Sequence, residues 1–311
     1  MALTHFDEAR SFELDLGHLR GRWTALGAAA GSVGVGVQRI QLPAGGWSTP
    51  AHQHGRSEEI FYVLSGSGLS WEAGETAEIG ADDCIVYVPN RGPHTLHATE
   101  PLDVLAFGPR EYDEAMGFPR LGMSLLGRRA VVSEPAAVDG RPFQFARESK
   151  LGPPELPEEP GPRPATIVNV DAVEGVPFGR GGVEAVRRDV GRAAGSRVTG
   201  LKHVSVAPSK YAAPLHCHSL EEELFVVLAG EGTLLLGDEE LALRPGSVIA
   251  RPPGTGVAHS LRAGGQRLEF LAYGTREPGD MCYYPRSNKI SFRGLGVIGR
   301  VERLSYWDGE E

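Results

Sequence analysis

Residues 51–68 read AHQHGRSEEIFYVLSGSG and combine metal-ligand chemistry with a buried strand. Side chains two apart on a strand share a face, so His52 and His54 point together. In the apolar run that follows, Glu59 shares its face with Phe61 and Val63. This register predicts that one carboxylate enters the same interior as the two imidazoles.

The stretch occurs a second time, as LHCHSLEEELFVVLAGEG at residues 215–232. His216, His218 and Glu223 follow His52, His54 and Glu59 at a constant separation, and the paired glycines keep the same spacing. Such self-similarity indicates an internal duplication, with two units built on one plan.

A third histidine joins each unit from a later strand. VYVPNRGPHTLHA (86–98) aligns with ARPPGTGVAHSLRA (250–263) after one inserted residue, which pairs His94 with His259. A single His-x-His is most often a packing or surface feature, but two copies with a glutamate and a third histidine favour a metal site. Three imidazoles and a carboxylate suit one divalent transition metal per unit, namely Fe, Mn, Ni, Cu or Zn.

Composition predicts an all-β protein of two domains. The 42 glycines and 23 prolines among 311 residues require frequent turns and leave little room for long helices. LGPPELPEEPGPRP (151–164) reads as a linker, so we predict domains at 1–150 and 166–311 joined by residues 151–165.

Charge and cysteine content exclude several function classes. The net charge of −9, with basic residues scattered along the chain, argues against a nucleic-acid partner. The N-terminal residues lack a signal-peptide pattern, and no run is long and apolar enough for a membrane span. Three cysteines without disulfide-like spacing favour a reducing compartment, so a cytoplasmic location is predicted.

The motifs resemble those of the cupin superfamily. GGWSTPAHQHGRSEEIFYVLSGSG and SKYAAPLHCHSLEEELFVVLAGEG are similar to its first motif, and VPNRGPH and RPPGTGVAH to its second. A shifted glycine in one copy and a longer loop in the other are small departures that keep the histidine. Two copies resemble a bicupin, and the second half is similar to a little-characterised group of conserved cupins. The resemblance implies two tandem jelly-roll (double-stranded β-helix) barrels, each with a central metal.

Apolar residues in the metal-facing register predict the substrate pocket, although each could equally be barrel core. An apolar wall favours a small substrate that chelates the metal through one or two oxygens. These residues are Phe61, Val63 and Leu96 in the first half, and Phe225, Val227 and Leu261 in the second.

Catalytic residues are not identified by a motif. His203 and Arg39 are candidates because they alternate with apolar residues in matching strands, and an imidazole near the metal could act as a general base. The polar face that carries them is either the mouth of the cavity or solvent-exposed surface.

Three functions follow from this pattern. The first is a metal-dependent oxidoreductase, most plausibly a dioxygenase, acting on a small chelating substrate. The second is a non-redox lyase or isomerase in which the metal is a Lewis acid, and the third is a non-catalytic small-molecule-binding or sensing protein. A monomer and a homodimer are both compatible with two barrels in one chain.

Overall fold

The computed structural model describes residues 2–111, 113–127, 129–132 and 143–310. Strands dominate the chain. In the first half they are β1 (Leu3–His5), β2 (Ser11–Leu16), β3 (Leu19–Thr24), β4 (Val35–Leu42), β5 (Gln53–His54), β6 (Glu59–Ser65), β7 (Ser67–Glu72), β8 (Glu75–Gly80), β9 (Asp83–Tyr87), β10 (His94–Ala98), β11 (Leu102–Pro109), β12 (Ala115–Phe118), β13 (Met123–Leu126) and β14 (Arg129–Val132).

The second half repeats this order. Its strands are β15 (Ile167–Asn169), β16 (Val176–Arg180), β17 (Val183–Arg188), β18 (Thr199–Val206), β19 (Cys217–His218), β20 (Glu223–Ala229), β21 (Gly232–Leu236), β22 (Glu239–Leu243), β23 (Ser247–Arg251), β24 (His259–Ala263), β25 (Leu268–Thr275), β26 (Met281–Tyr284), β27 (Lys289–Phe292) and β28 (Val297–Arg300). Within the described residues, the α-helices are α1 (Leu26–Ala30), α2 (Phe143–Leu151) and α3 (Val190–Ala193), and 3₁₀ turns cover Pro119–Leu121, Val170–Ala172, Pro285–Ser287 and Arg293–Leu295.

Each half forms a barrel from a large and a small antiparallel sheet. The first barrel combines the order β15-β9-β6-β11-β4-β3-β2 with β10-β7-β8, and the second combines β1-β23-β20-β25-β18-β17-β16 with β22-β21-β24. This confirms the predicted all-β fold of two barrels.

The motif glycines have a steric role in this fold. Gly66 and Gly230 follow β6 and β20 with φ of 88° and 78°, a conformation that L side chains rarely adopt. A Cβ atom would lie 1.9 Å from the Pro101 carbonyl oxygen at the first position and 2.0 Å from that of Arg267 at the second. Glycine is therefore required where the chain leaves the strand that carries the glutamate.

The two barrels exchange edge strands. Leu3 in β1 pairs with Ile249 in β23, so the N-terminal strand belongs to the second barrel's sheet. Ile167 in β15 pairs with Ile85 in β9, which places a segment beyond the linker in the first barrel's sheet. The domain bounds of 1–150 and 166–311 stay a prediction. Each large sheet contains one strand from the other predicted domain.

A shared apolar core joins the barrels, in addition to the core inside each one. Phe107 and Tyr273, from equivalent strands, have ring centroids 5.1 Å apart, and both are buried. Leu224 and Ile60 belong to the same cluster. One face of each large sheet thus packs on its counterpart, and the opposite face lines the barrel interior.

Two glutamates bind across this interface in a reciprocal arrangement. Glu58 accepts hydrogen bonds from the backbone N–H groups of Arg197 (2.6 Å) and Val198 (3.2 Å) in the second half. Glu222 accepts hydrogen bonds from Val33 (2.9 Å) and Gly34 (2.5 Å) in the first half. The glutamate directly before each predicted ligand glutamate, Glu59 or Glu223, therefore has a structural role of its own.

Among the described residues, no helix has the length and apolar character needed to cross a bilayer.

Candidate metal centres

The first barrel brings its four predicted ligands together. His52 bridges to His94 across neighbouring strands, His54 ends β5, and Glu59 begins β6. One carboxylate oxygen, Oε2 of Glu59, lies 3.5, 3.7 and 3.0 Å from the Nε2 atoms of His52, His54 and His94. The ligand atoms all lie within 4.8 Å of one another, which is compact enough for one ion.

The second barrel repeats this geometry. Oε2 of Glu223 lies 3.8, 3.5 and 2.9 Å from the Nε2 atoms of His216, His218 and His259. His216 bridges to His259 as His52 does to His94. The duplication thus places the three histidines around the glutamate in both barrels, and in the second barrel His216, Glu223 and His259 form the compact group.

Hydrogen bonds leave the Nε2 lone pairs free to bind a cation. Nδ1–H of His216 donates to the Pro214 carbonyl oxygen at 2.7 Å, and Nδ1–H of His52 donates to that of Pro50 at 2.9 Å. Since a neutral imidazole carries one proton, each Nε2 presents a lone pair toward the glutamate oxygen. Lone pairs that face a carboxylate repel it unless a positive charge lies between them, so these donor sets fit a divalent metal.

A second carboxylate lies beside one imidazole in each barrel, at hydrogen-bond distance in the second barrel only. In the second, Asp280 lies 2.7 Å from Nδ1 of His218 and also accepts hydrogen bonds from backbone N–H groups, including that of Leu220 (3.0 Å). In the first, Glu114 accepts the Gly55 N–H (2.8 Å) and lies 3.8 Å from Nδ1 of His54. A hydrogen-bonded outer carboxylate such as Asp280 fixes the ring orientation of a ligand histidine.

The electrostatics favour an ionised glutamate in each barrel and a neutral imidazole at His216. Burial alone would raise the pKa of Glu59, but the imidazoles of His52, His54 and His94 beside it hold that pKa well below its usual range. The pKa of Glu223 is likewise lowered in spite of its burial, chiefly by the neighbouring His259 ring. Burial lowers the pKa of His216 to about 4, so this ring is neutral near pH 7 and able to bind a metal.

The second barrel holds a cavity of about 640 Å³ that reaches its four ligands. Arg187 and Lys202 line the same cavity. Arg187 stacks on the Phe178 ring at 3.4 Å and donates to the Ala212 carbonyl oxygen at 3.0 Å. Lys202 makes no ion pair with any residue that the structure describes. Two cationic side chains therefore share a cavity with the candidate metal site.

The first barrel has uncharged residues at these positions. Trp23 occupies the place of Arg187, and Gln38 that of Lys202, in equivalent strand registers. The Trp23 side chain is buried among the core residues of the first barrel and packs edge-on against Phe145 of α2, with centroids 6.1 Å apart. Tyr87 stacks on His94 at 3.9 Å. Aromatic side chains thus occupy the part of this barrel that carries cations in the other.

The predicted pocket residues lie in the two barrel cores. Phe225 and Leu261 line the second cavity beside the ligands, together with the charged side chains described above. The apolar wall is therefore only part of that cavity. The other four, Phe61, Val63, Leu96 and Val227, are buried members of the core clusters.

His203 and Arg39 are not brought to the metal centres. Both line a separate cavity of about 690 Å³ between the barrels. Strand alternation explains this position, because Lys202 points into the second barrel and its neighbour His203 points to the opposite face. Arg39 pairs with Asp103 and stacks over the Phe6 ring at 4.5 Å.

Four residues of the two sites are not among those predicted from the sequence, for identifiable reasons. Asp280 and Glu114 recur at matching places after the two Arg-Glu segments, so the repeat contained a signal for them. Arg187 and Lys202 differ from their counterparts in the first half. A search for repeated residues passes over such positions, although they are what distinguishes the second site.

Comparisons with known proteins agree with this architecture. A family profile described as "Cupin domain" matches residues 38–108 and 202–273. Among curated proteins, none matches the sequence significantly.

Solved structures of similar fold include two bacterial enzymes. Oxalate decarboxylase from Bacillus subtilis, solved in a study of its Mn(II) centres, is 16% identical; the alignment covers 90% of this chain and 78% of that one, with a TM-score of 0.56. A formate complex of Lactobacillus farciminis oxalate decarboxylase is 14% identical, with coverage of 89% and 86% and a TM-score of 0.56. At these identities the likeness concerns the fold alone.

Proposed function

This chain is a bicupin of the cupin superfamily, and we propose that it is a metal-dependent enzyme whose active site is the second barrel, where a small organic anion binds beside the metal. The observation that carries the proposal is that Lys202 and Arg187 line the same cavity as Glu223 and its three histidines. A metal site supplies one positive centre, and the two side chains supply more, so the cavity suits carboxylates or phosphates.

The reaction class that this arrangement favours is a non-redox lyase or isomerase reaction. A bound divalent metal supplies Lewis-acid polarisation of a carbonyl or carboxylate oxygen. Lys202 and Arg187 hold the anionic group and offset the negative charge that develops on the substrate when a bond to carbon breaks. Partial desolvation in the cavity lowers the pKa of Lys202, although the side chain keeps access to solvent, and this also makes its ammonium group a better proton donor than an ordinary lysine.

The oxidative alternative has a different observation in its favour. Phe225, Leu261 and Phe270 form an apolar part of the cavity wall, as expected for a carbon-rich chelating substrate of a dioxygenase. Both reactions would use the same ligands, so the requirement for oxygen separates them.

The test is turnover by metal-replete protein with a panel of 2-oxoacids, hydroxy acids, dicarboxylates and sugar phosphates, with and without oxygen. We expect turnover of an anionic substrate under strictly anaerobic conditions. Lys202→Gln, which installs the residue found in the first barrel, should raise KM by about tenfold or more, as loss of one charged contact does. Turnover only in air would favour the dioxygenase, and binding without conversion would favour a sensing protein.

A further inference from the structure

A cysteine lies beside the imidazoles of the second metal centre. Cys282 is in β26, directly opposite His218 of β19, and is 8% exposed. Its Sγ atom and the ring nitrogens of His216 and His218 lie within 4.8 Å of one another. The thiol lines the same cavity as Glu223 and His259.

The second centre has donor atoms that lack hydrogen-bond partners. Within the described residues, Oε2 of Glu223 and Nε2 of His259 are buried and make no hydrogen bond, although they lie 2.9 Å apart. His259 is only 2% exposed. Cys282 lies beside His216 and His218, and His216 is also grouped with Glu223 and His259, so the thiol adjoins the buried donor set and is not isolated.

The first barrel offers a thioether at this place. Met116 lies opposite His54 in β12, as Cys282 lies opposite His218. Two residues further on, Tyr284 follows Cys282 on the same face, where the first barrel has Phe118. The sulfur chemistry of the two centres thus differs, while the histidines and glutamates are the same.

We propose that Cys282 is an additional, thiolate ligand of the metal in the second barrel, so that the two barrels differ in metal preference. This inference rests on the metal site of the proposed function. When the Sγ–metal bond forms, the thiol proton is released to solvent. A thiolate favours softer ions such as zinc, whereas the first centre, with imidazoles and one carboxylate, accommodates the harder manganese.

Cobalt(II) substitution tests the proposal, because thiolate ligation gives a sulfur-to-cobalt charge-transfer band in the near ultraviolet. The band should appear in the wild type and in His54→Ala, which removes the first site, and should disappear in Cys282→Ser and in His218→Ala. Cys217→Ser is the matched control: Cys217 is equally buried, but strand alternation turns it away from the ligand histidines.

Metal affinity gives a second measurement. Cys282→Ser should weaken zinc binding at the second site by at least the roughly 10- to 100-fold that loss of an outer-shell partner causes, with manganese affinity changed less. Cys282→Met should have the same effect, since it copies the first barrel.

The outcomes separate this proposal from the proposed function. Two equivalents of cobalt without the charge-transfer band, or a band that persists in Cys282→Ser, would overturn the thiolate ligand and leave the metal-dependent enzyme standing. A second barrel that takes no cobalt in any variant would overturn both.

Discussion

At the scale of single residues, the direction of each imidazole decides what the centres can do. A backbone carbonyl holds Nδ1 of His216, and a carboxylate holds Nδ1 of His218, so both rings turn Nε2 toward Glu223. Neither partner is a metal ligand itself. The cluster is therefore pre-organised for a cation by groups outside it.

Replacing the orienting carboxylate should weaken one centre selectively. Asp280→Asn keeps an acceptor for the backbone N–H groups but loses the charge beside His218, and we expect zinc affinity of the second site to fall roughly 10- to 100-fold. Competition with a chromophoric chelator measures this change. Glu114→Gln is the matched variant and should affect the first site alone; equal loss at both sites in either variant would contradict the assignment.

The charge of Lys202 should make anion binding depend on pH. Partial desolvation in the cavity lowers the pKa of this solvent-accessible side chain from the ordinary 10.5, so its positive charge is present below the shifted pKa and is lost as the pH rises through it. Acetate affinity of zinc-loaded protein should therefore fall in alkaline solution at a lower pH than an exposed lysine would give. Calorimetric titration of the wild type beside Lys202→Gln isolates this effect, because the variant should lack this alkaline fall in acetate affinity. An identical pH dependence of acetate affinity in both proteins would contradict a role for Lys202 in anion binding.

At the scale of elements, the sequence predicted what repetition and strand alternation determine. A period of two predicts that His52 and His54 share one face and that Glu59 shares the face of Phe61 and Val63, and the structure brings the histidines and the glutamate together. The same alternation predicts that Glu58 points to the other face. Its hydrogen-bond partners across the barrel interface could not be predicted from the local sequence. These contacts join residues about 140 positions apart, and no short-range signal encodes them.

The interface glutamates should contribute measurably to stability. Glu58→Gln weakens several charge-assisted hydrogen bonds to backbone N–H groups of the second half, so the free energy of unfolding should fall by about 1–3 kcal/mol. Urea denaturation measures this change. The exposed Glu75→Gln serves as the control and should leave stability within about 0.5 kcal/mol. A Glu58→Gln variant as stable as this control would contradict the structural role.

At the scale of the whole molecule, two equivalent barrels have diverged around the same ligand geometry. The first has Trp23 where the second has Arg187, and Gln38 where the second has Lys202. The residues that the two copies share predict two similar sites. The residues that differ face the cavity, and their position became evident only from the fold.

The exchanged strands predict that the barrels unfold together. β1 and β15 each complete the sheet of the other half, and the shared core includes Phe107 and Tyr273. Calorimetry of metal-free protein should therefore give one transition whose calorimetric and van't Hoff enthalpies agree. Two resolved transitions, one of them unaffected by the His218→Ala substitution, would show that the barrels are independent.

The central claim is that each barrel holds one metal ion on three histidines and a glutamate. Plasma mass spectrometry on tag-free protein purified without chelator tests it most directly, with His54→Ala and His218→Ala alongside the wild type. We expect about two equivalents of transition metal in the wild type and about one in each variant. Wild-type protein that is metal-free and also refuses added metal, or variants that keep both equivalents, would contradict the claim.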